Sequence, residues 1–213
     1  MLTRRRATAG VLALTALRVA LAPVLVLLAR QGAGRAAAAG GSSAATAAGA
    51  LYVACCVAAF LSDVFDGVLA RRWGVDGPSV RRLDSAADTV FYAAAAWSVW
   101  VARADVVRHY AVGAIVVVAL ELARYALDYW KFGREASYHA WSAKAWGVSL
   151  FVALVATMGF GQPRGFVDAA IVLGVVADLE GLAMSLVLPR WAHDVRGIGA
   201  AWRLRVGGGA DGR

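Results

Sequence analysis

The sequence is poor in charge, proline and cysteine. Of its 213 residues 17% are charged and 61% are hydrophobic, giving a mean hydropathy of +0.63. A soluble domain carries about 25% charged residues, so the composition excludes disorder and argues against a soluble globular enzyme. Both cysteines, Cys55 and Cys56, are adjacent in one apolar run. They cannot frame a disulfide scaffold or a zinc site and read as small packing residues. No run alternates with the period of two that a membrane barrel strand requires, which leaves helices. Nor do the basic residues gather into a stripe with interleaved aromatics. The net charge of +8 therefore does not point to nucleic acid, and no nucleic-acid partner is expected.

What is present is a series of apolar runs. They extend from about Val11 to Leu28, Gly49 to Arg72, Leu83 to Val101, Tyr110 to Trp130, Tyr138 to Phe160 and Phe166 to Leu188. At roughly 20 residues per membrane helix, six spans use almost the whole chain. The first run follows Met-Leu-Thr-Arg-Arg-Arg like a signal peptide, yet it is long, carries Arg18 and Pro23, and has no short hydrophobic region. It is expected to be a retained helix. Residues 31–48, rich in Gly, Ala and Ser, read as an external loop.

The expected fold is thus all-α: a polytopic membrane bundle of about six transmembrane helices with both termini cytoplasmic. Residues 1–190 form one domain and 191–213 a basic, partly disordered tail. This orientation puts fourteen Lys and Arg on the cytoplasmic side and five opposite, with Arg18, Arg124 and Lys144 inside spans, as the positive-inside rule favours. Trp73, Trp130 and Trp141 fall near span ends and fit interfacial anchoring.

Carboxylates in apolar helices are costly unless paired, hydrated or bound to metal. Four lie within 26 residues. Asp63 and Asp66 are spaced i, i+3 at the end of the second run, and Asp84 and Asp88 are spaced i, i+4 at the start of the third, so each pair shares a helical face. If the two helices are antiparallel neighbours across a loop of about ten residues, the four acids surround one volume. Oxygen ligands of this kind suit magnesium, manganese or calcium. Gly67 and Ala70 add a small-residue slot beside the acids, and Arg71 adds a planar cation suited to phosphate. Together these read as a site for a nucleotide diphosphate.

The string Asp63-Val-Phe-Asp66-Gly67-Val-Leu-Ala70-Arg71, followed by Leu83-Asp84-Ser85-Ala86-Ala87-Asp88, resembles the CDP-alcohol phosphatidyltransferase signature, D-x2-D-G-x2-A-R-x8-G-x3-D-x3-D. Seven of eight fixed positions match in register, and Val80 stands where the signature has glycine. The stretch from Leu14 to Pro23 is similar to the family's first helix. The resemblance implies transfer of a phosphatidyl or similar group from a CDP-alcohol, such as CDP-diacylglycerol, to a small polar or lipid alcohol acceptor, with release of CMP in phospholipid biosynthesis. It implies that Asp63, Asp66, Asp84 and Asp88 bind one or two Mg2+ or Mn2+ ions. Asp88 is also implied as general base, with Asp66, Gly67, Ala70 and Arg71 at the CDP moiety. A homodimer in a bacterial cell membrane, its active site facing the cytoplasm, is expected on the same ground.

Two other readings stay open. One is a divalent-cation transporter, which leaves Gly67, Ala70 and Arg71 without a role. The other is a catalytically degenerate CDP-alcohol binder, for which Val80 is the motive. Arg134, His139 and Lys144 are candidate acceptor-binding residues, with interfacial snorkelling as the alternative. Glu121, Arg124 and Asp128, at i, i+3 and i+7, are expected to form a structural ion-pair network. Asp178 and Glu180 face different directions on the sixth helix and have no common explanation.

Overall fold

The computed structural model describes residues 4–35, 43–75, 77–134, 137–138 and 140–207. The described residues are mostly helical. In order it forms α1 (Arg4–Arg30), α2 (Ser43–Trp73), α3 (Pro78–Ala102), the short α4 (Ala104–His109), α5 (Ala111–Phe132), α6 (Trp141–Phe160), α7 (Phe166–Val187) and α8 (Ile198–Gly207). Two very short strands, β1 (Ser137–Tyr138) and β2 (His193–Val195), pair in parallel.

Among the described residues, four stretches are long and apolar enough to cross a membrane by length and composition: Arg5–Arg30, Thr46–Trp73, Trp141–Phe160 and Phe166–Val187. These are the hallmarks of an integral membrane protein. The expectation of six spans resolves into six long helices, of which these four carry the apolar signature. The remaining two long helices are interrupted by charge. Arg81, Arg82, Asp84 and Asp88 fall in α3, and Glu121, Arg124, Asp128 and Lys131 in α5.

The chain divides into two compact units, 1–107 with 154–163 and 108–153 with 164–213. In the first, α1 packs along both α2 and α3. Leu25, Ala29 and Val11 of α1 are buried. The sequence expectation made α2 and α3 direct neighbours. Among the described residues, however, the extensive backbone approaches are of α1 on α2 and α1 on α3, while α2 and α3 meet through side chains. Small residues on α1, among them Ala7, Ala22 and Ala29, are buried and let the other helices come close.

The link from α2 to α3 is shorter than the ten residues expected. Gly74 takes φ +63°, the left-handed conformation that closes a helix without a Cβ clash. Its N–H donates to the Arg71 carbonyl at 3.3 Å and that of Val75 to the Ala70 carbonyl at 2.9 Å. Pro78 then occupies the first turn of α3 after Gly77, where its missing N–H costs nothing. Under this corner Ala7, Val11, Ala70 and Val75 form a buried apolar cluster, with Leu69, Trp73 and Val80 packed against it. Trp73 is thus a packing residue that covers Gly10. The loop expected over 31–48 is also shorter, because α2 already begins at Ser43.

In the second unit α5 packs on α7, and α7 carries α8. The close α5–α7 approach depends on Gly113, where a Cβ would stand 2.7 Å from Ile171 Cδ1. The expected ion-pair network is rearranged. Arg124 Nη2 lies 3.8 Å from Glu121, and its Nε lies 3.6 Å from Asp178, whereas Asp128 accepts a hydrogen bond from Ser185. Glu180 accepts from Ser142 Oγ and from the Ile198 N–H. Asp178 and Glu180 therefore serve two different partners, which explains their divergent directions. Lys131 Nζ donates to the Ser185 and Leu186 carbonyls at 2.8 and 2.9 Å, satisfying the end of α7. The expected disorder of the tail does not hold over 198–207. This segment is α8, whose Ala201 is fully buried against Met184 and Leu188.

Candidate active site

Asp63 and Asp66 sit near the end of α2, and Asp84 and Asp88 near the start of α3. Because the two helices run antiparallel, their acidic ends coincide. At the opposite end the buried Tyr52 and Ser98 hydroxyls hydrogen-bond at 2.6 Å. Between the acids lies Arg18 of α1, whose side chain is only 1% exposed. Its Nη1 donates to Asp63 at 3.0 Å and to Asp88, and its Nη2 donates to Asp66 and Asp84. One guanidinium therefore engages all four acids of the signature.

The depths of these acids differ. The Asp66 side chain is 3% exposed and forms the floor, whereas those of Asp63, Asp84 and Asp88 are 46%, 35% and 33% exposed. A buried arginine is tolerable when carboxylates surround it. Four carboxylates against one guanidinium leave a formal charge of −3 in this cluster. That surplus, open to solvent on one side, is suited to a further cation. All-oxygen ligands of this kind suit hard metals. One carboxylate oxygen from each of Asp63, Asp66 and Asp84 lies within 4.8 Å of the others, a spacing that oxygen–metal distances of about 2.0–2.6 Å can bridge. Asp88 borders the same volume through Arg18 Nη1.

The other signature residues flank the acids. Gly67 is half-buried, and a Cβ placed on it would stand 3.4 Å from Arg71 Nη1, so the exposed Arg71 folds back over it. Ala70 is buried in the apolar cluster with Ala7 and Val11. Val80 packs against that cluster as well.

The candidate acceptor residues belong to the second unit. Arg134 is exposed and stacks on Trp191, its Cζ 3.7 Å from the ring centroid. Lys144 lies over Trp141 at 4.8 Å. It lines an apolar groove of about 560 Å3 with Trp141, Val148 and Val152 of α6 and Phe166 and Leu173 of α7. His139 lies outside the described residues.

Sequence reasoning did not place Arg18 in the site. The signal was available, since a lone arginine in an apolar run needs a counter-charge and the four acids were the largest unpaired supply.

Comparison with curated proteins and with solved structures found no match. The family comparison did: the sequence model of CDP-alcohol phosphatidyltransferase covers residues 12–186, from the first turns of α1 to the end of α7 and across all four acids and Arg18. On that span the chain belongs to the CDP-alcohol phosphatidyltransferase family.

Proposed function

We propose that this protein transfers a phosphatidyl group from CDP-diacylglycerol to an alcohol acceptor and releases CMP, as a step of phospholipid biosynthesis. Family membership supports phosphatidyl transfer from a CDP-alcohol in a membrane. The observation that best supports transfer from a CDP-alcohol at this site is the convergence of Asp63, Asp66, Asp84 and Asp88 on one volume.

In this reading the acids hold Mg2+ or Mn2+. Held there by the acids, a divalent ion would supply charge neutralisation for the diphosphate and for the departing CMP. Asp88 accepts the proton of the acceptor hydroxyl. The acceptor oxygen then forms a bond to the lipid-bearing phosphorus, and the bond from that phosphorus to the bridging oxygen breaks. The bridging oxygen leaves with CMP. Asp66, Gly67 and Arg71 contact the CDP moiety, with Arg71 pairing with the diphosphate, whereas Ala70, expected there from the resemblance, is buried in the apolar cluster with Ala7 and Val11 and serves helix packing.

Residues 1–190 act as one six-span domain with cytoplasmic termini, and the site opens to the cytoplasm of a bacterial cell. A homodimer is the proposed assembly. Arg134 and Lys144 are proposed acceptor contacts, so Arg134→Gln and Lys144→Gln raise the KM for acceptor and leave that for donor unchanged. A cation-transport path is disfavoured because Arg18 places a positive charge among its carboxylates.

The test is CMP release by detergent-purified protein with CDP-diacylglycerol, Mg2+ or Mn2+, and a panel of acceptor alcohols. Acceptor-dependent release that Asp88→Asn abolishes is expected. If no acceptor supports release while the donor still binds, the transferase reading is wrong.

A further inference from the structure

Arg18 makes contacts that no signature residue requires of it. Each of its two terminal nitrogens is shared between one acid of α2 and one of α3. Its Nε is buried and has no hydrogen-bond partner. An arginine placed only to tie helices together would satisfy Nε as well, since leaving a buried donor unmade is costly. Here the guanidinium sits where the carboxylate oxygens converge, with Asp63, Asp66 and Asp84 presenting ligand atoms within 4.8 Å of one another. A guanidinium and a hard divalent cation therefore draw on the same carboxylates.

We propose that Arg18 is an internal cation that competes with divalent metal for the four aspartates, so that loading the site requires its guanidinium to release them. This rests on the proposed metal-binding role of the acids. Two physical facts support competition over cooperation. Each acid already commits one oxygen to Arg18, and a metal ion placed among those oxygens would lie close to a like charge in a poorly screened environment. Release is also feasible. Arginine has a long side chain, and three of the four acids are a third or more exposed, which opens the volume on one side. The released guanidinium carries the charge and planar fork suited to a phosphate oxygen pair. The same residue thus keeps the acids compensated before metal arrives and becomes a free cation afterwards.

The test uses full-length protein in detergent and Mn2+ alone as probe, with binding read by electron paramagnetic resonance and no substrate present. Arg18→Met is expected to bind Mn2+ at least tenfold more tightly than the parent. Its metal-free thermal midpoint should fall, and Mn2+ should restore it by a larger shift than in the parent. Arg18→Ala supplies a second readout. Millimolar methylguanidinium should raise its metal-free midpoint and weaken its Mn2+ binding competitively. If Arg18→Met does not fold, the methylguanidinium competition in Arg18→Ala decides, together with Arg18→Lys, whose smaller cation meets fewer acids and should bind Mn2+ more tightly than the parent.

Mn2+ binding that is unchanged or weaker in these variants, with the parent binding normally, overturns the competition and leaves the transferase reading intact. Absence of Mn2+ binding in parent and variants alike overturns both.

Discussion

Asp88 and Val80 bracket what single side chains do here. Asp88 is the proposed base for the acceptor hydroxyl, and general-base removal costs about 10²–10⁴-fold in rate. Asp88→Asn is accordingly expected to lower the rate of CMP release by at least that factor, measured as turnover at saturating CDP-diacylglycerol. Val80 departs from the family signature, and its side chain is packed against the Ala7, Val11, Ala70 and Val75 cluster. Val80→Gly removes apolar contact and adds glycine to the first turn of α3, so a loss of about 2 kcal/mol is expected. It should appear as a lower thermal midpoint without a gain in turnover. A large gain would revive the degenerate reading.

The acids were legible from sequence because i, i+3 and i, i+4 spacings are local. Arg18 was legible only as a lone charge in an apolar run that needs a counter-charge; which acids it meets was not, because they lie 45 to 70 residues away.

Among elements, the close approach of α5 to α7 is a constraint open to test. A methyl group at Gly113 would reach 2.7 Å from Ile171 Cδ1. Overpacking of this kind costs about 1–3 kcal/mol, so Gly113→Ala should lower the unfolding midpoint in detergent while leaving Mn2+ binding in the first unit unchanged. The corner between α3 and α4 offers a test in pH. Arg103 donates to both Asp105 oxygens and holds that carboxyl below its ordinary value of 3.8. A depressed folded pKa adds stability above the ordinary value, and that stability is lost as pH falls through the folded pKa. The gain is small because the Asp105 side chain is 66% exposed. Asp105→Asn should therefore lower stability slightly at neutral pH and not at all below the folded pKa, as read by paired thermal melts.

The helices themselves were legible from their apolar runs. The four-residue link between α2 and α3 was hidden because Gly74 and Pro78 set the end and start of helices that sequence hydropathy blurs. The tail helix was hidden because its buried contact, Ala201, is a single small residue among basic ones.

At the scale of the whole molecule, the basic residues give the proposed topology a direct check. Reporter fusions to both termini, scored by accessibility from each side of the membrane, should both read as cytoplasmic. Opposite readings would mean an odd number of spans. The span count was the least legible feature, because the charges that build the site in α3, and the ion pairs in α5, also dilute the apolar signal by which a span is recognised.

The Tyr52–Ser98 hydroxyl pair bears on how the proposed lipid donor would gain entry. It pins α2 to α3 14 residues from Asp66, about 21 Å along the helix axis. With that end fixed, admitting a ligand between the acidic ends becomes a lever motion with its fulcrum at the hydroxyls. A gap of about 2 Å at the acids then requires a tilt of only about 5–6°, a scissor movement that two helices can make while their far ends stay closed.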